Sequence, residues 1–319
     1  MEKLLLWMNP TEGIADFAVM ENTLRELERN EIGSIVICSD RFEVSHLFSP
    51  LTEIITVKHS SIPFLTSFIQ NRRILRALTR LSDRGFPKFI MVDWRTFPAY
   101  NRGINKLHYL GKSKLIFEDR SPPAGNSIKS KLQWKLYDWC WKRGAKRADV
   151  ANVLVPELER FVKERFPDIE DLDFIITPSG VDTDRFRPRE NIEFNAEFPS
   201  FVYHGALDKG RGLTRILGLK EELENAGVRG KFTIVGDGDL ADFFRRVSED
   251  DPDIIFLGRL ESSELPMVVA NSDYGILPLP DALEWRVGSP LKVMEFAASG
   301  LKCLTTDVKG TSPFSGESW

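Results

Sequence analysis

Short apolar runs alternate along the chain with longer stretches in which apolar residues recur at helical spacing. The short runs predict β-strands and the longer stretches predict amphipathic helices between them. The strands predicted in the first half are Lys3–Met8, Ser34–Cys38, Lys88–Asp93, Lys114–Glu118, Val150–Val155 and Phe174–Thr177. Those predicted in the second half are Ser200–His204, Lys231–Val235, Ile254–Leu257, Tyr274–Leu277 and Lys302–Thr305. The predicted helices include Asp16–Asn30, Pro63–Asp83, Leu213–Ala226, Leu240–Ser248, Ser263–Ala270 and Leu291–Ser299.

This alternation indicates an α/β fold in which helices cover both faces of parallel sheets. A polar, proline-containing stretch at Arg187–Pro199 interrupts the alternation, which favours two doubly wound domains over one closed barrel. We therefore expect a Rossmann-like domain over residues 1–186, a linker over 187–199 and a second Rossmann-like domain over 200–319. Ligands of such sheets bind beyond the carboxyl ends of the strands, so we expect the site in a cleft that both domains face.

Composition narrows the class of protein. The chain has 319 residues, of which 42% are hydrophobic and 28% are charged, which suits a folded protein and argues against disorder. Its apolar runs are too short to cross a bilayer, and its first residues predict no signal peptide. The three cysteines lie far apart without a CxxC pair, which fits a reducing compartment. We therefore expect a cytoplasmic protein without a disulfide framework or a zinc ribbon.

Positive charge is concentrated in one part of the chain. The net charge is −4, yet Leu65–Arg147 holds 19 basic residues against 5 acidic ones. Arg72, Arg76, Arg80 and Arg84 recur every four residues and predict one basic helix face, and Lys129–Arg147 interleaves basic and aromatic residues. Such a pattern indicates an anionic membrane surface at the inner membrane face, although a solvated basic face with the tryptophans in the core is the alternative. The predicted membrane contacts are Arg72, Arg76, Arg80, Lys135, Lys142 and Arg143. No nucleic-acid-binding motif accompanies the charge, so we expect no nucleic acid partner.

Glycine-rich turns follow the predicted strands of the second half, where a helix N-terminus favours phosphate. His204–Leu213 combines three glycines with Lys209 and Arg211, which suits an anion cradle, although a solvated turn is the alternative. Further on, the composition of 288–300 predicts a helix with Ser289 as N-cap, Pro290 in its first turn and Gly300 at its end. Glu295 lies within that helix amid apolar residues, as either a solvated residue or a ligand group.

Taken together, five ordered motifs resemble the retaining GT-B glycosyltransferases of family four, which are the group 1 glycosyltransferases. The segment 178–182 (PSGVD) with Phe186 resembles the P-N-G-V-D…F signature, and Gly205–Gly212 resembles G-R-L-x-x-x-K-G. The segments 235–238 and 256–258 resemble V-G-x-G and F-L-G. Pro290–Gly300 resembles the P-x-K-x-x-E-x-x-A-x-G helix. The resemblance is strong in the second half of the chain and loose in the first.

The resemblance implies a GT-B fold and a hexosyltransferase that works in polysaccharide or glycolipid biosynthesis. Such an enzyme moves the sugar with retention from a nucleotide-diphosphate donor to a glycan or lipid-linked acceptor, without a metal or a cofactor. The catalytic candidates are Glu295, which resembles the ribose ligand, Arg211, which resembles the diphosphate-binding lysine, and Lys209, which could replace a missing loop cation. The donor-binding candidates are Gly205, Ala206, Gly236, Gly238, Ser289, Pro290, Leu291, Lys292 and Glu284.

On the acceptor side, Gly13 resembles the glycine loop of the first domain. Asp93, Asp119 and Arg120 each follow a predicted strand, so we expect them at its carboxyl end, either contacting the acceptor or in a salt-bridged loop. His46 and His59 lack the spacing of metal ligands, and we expect both to be structural.

Three departures from the family pattern keep other functions open. Val287 stands where the family has its first glutamate, for which Glu284 or Asp281 could substitute, and Ala206 stands where it has a loop arginine. The chain stops at Trp319, which predicts a shortened C-terminal domain or a truncated product. The alternatives are a non-catalytic GT-B scaffold or relic that binds nucleotide or protein, and a sugar-nucleotide epimerase. The epimerase would need an acid–base set that the first half does not reveal.

Overall fold

The computed structural model describes residues 4–11, 14–60, 62, 65–81, 87–125, 127–189 and 197–311. The chain divides into two compact units, Met1–Pro178 and Ser179–Trp319, which we call unit 1 and unit 2. Each unit is a parallel sheet with helices between its strands, which confirms the α/β fold class.

Unit 1 has a seven-stranded sheet in the described part of the chain, in the order β3-β2-β1-β4-β5-β6-β7. Its strands are β1 (Leu4–Met8), β2 (Gly33–Ser39), β3 (Thr52–Val57), β4 (Phe89–Asp93), β5 (Lys114–Asp119), β6 (Val150–Val153) and β7 (Phe174–Ile176). Its helices are α1 (Ile14–Arg29), α2 (Thr66–Arg80), α3 (Phe97–Gly103), α4 (Ile128–Gly144) and α5 (Pro156–Arg165). The strand order reverses between β1 and β4, which is where a doubly wound sheet binds its ligands.

Unit 2 has the same type of sheet with five strands among its described residues, in the order β10-β9-β8-β11-β12. Its strands are β8 (Ser200–His204), β9 (Lys231–Val235), β10 (Ile254–Gly258), β11 (Tyr274–Leu277) and β12 (Lys302–Thr305). Its helices are α6 (Arg215–Asn225), α7 (Ala241–Asp250), α8 (Leu265–Ala270), α9 (Leu283–Arg286) and α10 (Leu291–Ala298). The order reverses between β8 and β11, so the expected ligand edge of unit 2 lies at their carboxyl ends.

Helix α10 packs directly on the centre of the second sheet. The fully buried ring of Phe296 lies so close to Gly275 of β11 that a Cβ at Gly275 would be 2.2 Å from that ring. Since α10 follows the carboxyl end of β11, its first turn lies at the edge where β8 also ends. The helix ends as predicted, because Gly300 has a φ of +78° and the Leu301 N–H donates to the Phe296 carbonyl at 2.9 Å.

The chain divides earlier than the predicted boundary at residue 186. The Ser179 N–H donates to Ser289 Oγ at 3.1 Å, and Phe186 packs with Val202 and Phe296. Residues 179–186 therefore lie with unit 2. Much of the predicted linker, residues 190–196, falls outside the described residues.

Candidate functional site

Two tight turns interlock at the carboxyl ends of β8 and β9. Gly205 and Gly236 have φ angles of +114° and +141°, and a Cβ on Gly236 would lie 1.8 Å from the Gly205 carbonyl oxygen. Gly238 likewise lies against the main chain of Leu207, where a Cβ would come within 2.9 Å of the Leu207 nitrogen. The structure thus brings the predicted residues Gly205, Gly236 and Gly238 together, because only glycine permits this approach.

The start of α10 differs from the prediction. Pro290 has an extended backbone and precedes the helix, which begins at Leu291, so Ser289 is not the N-cap. The Ser289 hydroxyl instead accepts the hydrogen bond from the Ser179 N–H. The first amides of a helix lack intrahelical partners and carry partial positive charge, so Leu291 and Lys292 present donors suited to an anion at this edge.

The side chain of Lys292 lies against the glycine turn after β8. A Cβ on Gly205 would be 2.8 Å from Lys292 Nζ, and that ammonium also lies 5.7 Å from the ring centre of Tyr203. Burial, together with the charge of Arg211, lowers the pKa of Lys292 to about 8, while Glu295 and Asp208 oppose this shift. The resemblance had pointed to this residue only through its main-chain amide.

Glu295 lies one turn further along α10, with its side chain only 17% exposed. Burial raises its pKa, against the opposing charges of Lys292 and Arg185. The nearest polar group across from it is His204 Nε2, which is 3.3 Å from Glu295 Oε2. Burial lowers the pKa of His204 to about 3, so the imidazole is neutral. His204 Nε2 has no hydrogen-bond partner among the described residues, and the sequence pattern alone did not single this histidine out.

Two cations follow β8 on the loop, in different surroundings. Arg211 is partly buried, lies 5.1 Å from the ring centre of Trp285 and donates from Nε to Asp208 Oδ2 at 3.2 Å. Lys209 is exposed. Between these cations and the strand, Ala206 accepts a hydrogen bond through its carbonyl from the Tyr203 hydroxyl and brings no charge.

The residues considered as substitutes for the missing glutamate are not equivalent. Val287 is buried, and Glu284 is half-buried on the short helix α9. Asp281 accepts a hydrogen bond from Arg286 Nη2 at 2.8 Å, so its carboxylate is already engaged at the surface. Of the two substitutes, only Glu284 therefore remains a candidate donor ligand.

In unit 1, Asp119 is a buried structural carboxylate, which corrects the expectation that it contacts an acceptor. Its Oδ2 accepts from the Tyr137 hydroxyl at 2.6 Å and from Trp141 Nε1 at 2.9 Å, and its Oδ1 accepts from the Ser121 N–H at 3.0 Å. Burial raises its pKa to about 6, although the hydrogen bonds from Tyr137 and Trp141 oppose that shift. The carboxylate is fully buried, so the bonds tie β5 to α4.

Asp93 and Arg120 belong to a second buried network at the same edge. Arg95 donates to Asp93 Oδ1 from Nε and to Oδ2 from Nη2, both at 2.9 Å, and Asp93 is fully buried. Arg120 donates from Nε to Glu118 Oε1 at 3.0 Å and lies 5.1 Å from the ring centre of Trp7. This arrangement matches the salt-bridged alternative. Gly13 lies outside the described residues.

No group of three or more metal-binding side chains is found among the described residues. Of the two histidines expected to be structural, His46 lies 3.4 Å from Glu21 Oε1, and His59 donates its main-chain N–H to Asp40. Within the described ranges, none of the helices has the length and hydropathy required to span a bilayer.

Comparison with known proteins agrees with this geometry. Residues 198–317 match the family model described as Glycosyl transferases group 1, which covers nearly all of unit 2. The resemblance to this family is confirmed. No match is found among curated proteins.

Solved structures extend the likeness to the whole chain. The catalytic domain of starch synthase IV from Arabidopsis thaliana, bound to ADP and acarbose, aligns with a TM-score of 0.74 and 12% identity, over 97% of this chain and 84% of that one. Sucrose-phosphate synthase from Thermosynechococcus elongatus aligns with a TM-score of 0.73 and 14% identity, over 97% and 82%. The pneumococcal O-GlcNAc transferase GtfA, in complex with UDP and GlcNAc, aligns with a TM-score of 0.69 and 10% identity, over 99% and 86%. The chain therefore has the GT-B fold.

The structural role of Asp119 predicts a large loss of stability on substitution. Replacing Asp119 with Ala leaves the Tyr137 hydroxyl and the Trp141 N–H buried without an acceptor, so we expect the free energy of unfolding to fall by about 2–4 kcal/mol in urea denaturation. The matched control on α4 is Asp138→Ala, which removes a partly exposed pair with Arg165 and should cost about 1 kcal/mol or less. Equal effects of the two substitutions would contradict the structural role.

Proposed function

We propose that this protein is a glycosyltransferase that moves a hexose-type sugar, with retention, from a nucleotide-diphosphate donor to a glycan or lipid-linked acceptor. One observation carries the proposal. The carboxyl ends of β8 and β11 bring together the first turn of α10, two interlocked glycine turns and the half-buried side chains of Lys292 and Glu295. This is the edge at which a doubly wound sheet binds its ligands.

The positive groups at this edge suit a departing diphosphate. The leaving group gains negative charge as the glycosidic bond breaks, and preorganised cations and helix amides stabilise that charge. Lys292 and Arg211 lie near enough to each other that the charge of Arg211 helps to lower the pKa of Lys292. In this proposal these groups do the work for which other transferases use a metal ion.

The Glu295 carboxylate suits the ribose of the donor. A carboxylate only accepts hydrogen bonds, and the two hydroxyls of a ribose can donate to its oxygens. His204 beside it is neutral, so the imidazole does not neutralise the carboxylate as a cation would. Two solved structures with the same fold, starch synthase IV bound to ADP and GtfA in complex with UDP, support a nucleotide as the ligand.

A non-catalytic GT-B scaffold is the second candidate function. It is favoured by Val287, which is buried where the family has a glutamate, and by Asp281, whose carboxylate is engaged by Arg286. Such a scaffold would bind nucleotide without turnover. No observation in the structure favours the epimerase.

Nucleotide binding is the first test of the proposal. We expect one of UDP, GDP, ADP and dTDP to stabilise the protein by about 2.7 kcal/mol at 100 times its dissociation constant, measured as a thermal shift. Glu295→Gln should weaken that nucleotide by roughly 10- to 100-fold, because it removes a charged acceptor for the ribose. Glu221→Gln, at an exposed position on α6, should leave binding unchanged.

The outcomes of this screen separate the candidates. Stabilisation by none of the four nucleotides would contradict both the transferase and the nucleotide-binding scaffold. Where a nucleotide binds, incubating its radiolabelled sugar conjugate with glycan and lipid acceptors distinguishes the two, since only the transferase forms a labelled product.

A membrane-facing acceptor side is a further part of the proposal. The cations Arg72, Arg76 and Arg80 are exposed along α2, and Lys135, Lys142 and Arg143 are exposed along α4. Exposed apolar side chains lie on the same two helices, namely Phe68 (51%), Ile128 (77%) and Leu132 (54%). Both helices begin after the carboxyl end of a parallel strand, so their first turns lie at one edge of the sheet. Arg72 lies one turn after Phe68 on α2, and Lys135 lies about one turn after Leu132 on α4. Cations beside protruding apolar side chains suit an anionic bilayer.

One of the three tryptophans of α4 cannot contribute to this surface. Trp141 is fully buried, and Trp139 packs against Phe97 at a ring distance of 5.9 Å. Arg143 lies 5.4 Å above the Trp139 ring. The exposed large apolar side chains of α4 are Ile128 and Leu132, and the pattern of basic and aromatic residues did not predict them.

Vesicle sedimentation tests this surface. We expect Lys135→Glu/Lys142→Glu/Arg143→Glu to reduce binding to vesicles rich in phosphatidylglycerol by 100-fold or more, since each cation near an anionic surface contributes about 1 kcal/mol. The control Lys231→Glu/Arg246→Glu/Arg259→Glu makes the same charge change at exposed positions of unit 2. Equal binding by the two triple variants would refute a surface on α4.

A further inference from the structure

Lys292 is half-buried, and its ammonium forms no ion pair among the described residues. Among the described residues, no carboxylate lies within 4 Å of its Nζ, and the two nearest acidic groups are directed elsewhere. Glu295 Oε2 lies 3.3 Å from His204, and Asp208 Oδ2 accepts from Arg211. A half-buried, unpaired cation is costly, because burial removes part of the water that would otherwise solvate it. Lys292 is therefore in an environment that an anion would complete.

The surroundings of this ammonium define what kind of anion fits. Gly205 offers no side chain, so the space next to Nζ is bounded by main chain. The N-terminal amides of α10 and the guanidinium of Arg211 are positive groups of the same neighbourhood. An anion with several oxygens could accept from all of them at once, as a diphosphate does and a single carboxylate does not.

We propose that Lys292 is the half-buried cation that binds the donor diphosphate, replacing the loop arginine that the family has at Ala206. This inference rests on the proposed function, since it assigns a residue to the donor of that reaction. Lys209, which the sequence suggested for this role, is exposed on the loop. Lys292 reaches the same glycine turn from α10, where it also lies in the first turn beside the helix amides.

Nucleotide binding through Lys292 is linked to the protonation of its amine, which sets Lys292 apart from the other cations. Burial lowers its pKa to about 8, so the free protein holds much of it uncharged above that pH. A bound diphosphate favours the charged form and raises the pKa, so nucleotide binding takes up a proton at pH 8.5. Affinity should therefore fall as pH rises through 8.

The groups that face Lys292 are Glu295 on α10, Tyr203 and His204 on β8, and Asp208 and Arg211 on the loop.

His204 and Tyr203 do not take up a proton in this pH range. The pKa of His204 is lowered to about 3 and that of Tyr203 is raised to about 12, so neither titrates near pH 8.5.

Isothermal titration calorimetry tests the inference, using the nucleoside diphosphate that stabilises the protein in the thermal screen. At pH 8.5, titrations in two buffers with different ionisation enthalpies should give a net proton uptake on nucleotide binding, because Lys292 with a pKa of about 8 is partly uncharged in the free protein. Lys292→Met should bind at least tenfold more weakly and take up no proton. Lys292→Arg should retain binding without proton uptake, because a guanidinium does not titrate.

Lys231→Met, at an exposed position at the start of β9, is the matched control and should bind and take up protons like the wild type. Wild-type binding without proton uptake, or unchanged affinity in Lys292→Met, would overturn the role of Lys292 and leave the proposed function intact. Failure of the wild type to bind any nucleoside diphosphate would instead overturn the proposed function, and this inference with it. Should Lys292→Met not fold, the wild type and Lys292→Arg still decide the question through their difference in proton uptake.

Discussion

The close packing of α10 on the second sheet is the constraint on which the candidate site depends. Gly275 has no side chain, so the Phe296 ring can rest on β11 and bring the helix down onto the sheet. That contact fixes the first turn of α10 at the edge where β8 ends. Lys292 can then lie over Gly205, and Glu295 can lie opposite His204. A bulkier residue at Gly275 would move the helix and, with it, Lys292 and Glu295.

Burial gives the polar groups of this site their chemical character. Glu295, Lys292 and His204 all have pKa values moved towards the uncharged form, mainly because each is shielded from water. Such groups are poised to respond to a charged ligand, because a ligand changes the local field more strongly in a dry site than at a surface. In unit 1, by contrast, Asp93 and Asp119 already have protein partners for their oxygens, and the bonds of Asp119 join β5 to α4.

Much of the fold could be predicted from the sequence because buried parallel strands are continuous apolar runs. The strands β8, β9, β11 and β12 have the bounds that the pattern predicted. The strand β3 was missed because it is an edge strand, where Thr52, Glu53 and Thr56 leave no continuous apolar run. The boundary near residue 186 was misplaced because the contacts of Ser179 and Phe186 join them to residues far along the chain.

The site was predictable only where a motif fixes the backbone. Gly205, Gly236 and Gly238 come together because no other residue permits their turns. Side-chain partnerships were not predictable, since neither the burial of Lys292 beside Gly205 nor the approach of His204 to Glu295 follows from spacing along the chain. Ser289 fitted the N-cap pattern, yet its hydroxyl accepts a hydrogen bond from the Ser179 N–H instead.

The most direct test of the account is a crystal structure of the protein with a bound nucleoside diphosphate. The account predicts that the diphosphate lies about 3 Å from the first amides of α10 and from Lys292 Nζ, with the ribose hydroxyls donating to Glu295. A nucleotide held elsewhere, or in this place with its diphosphate away from α10, would contradict it.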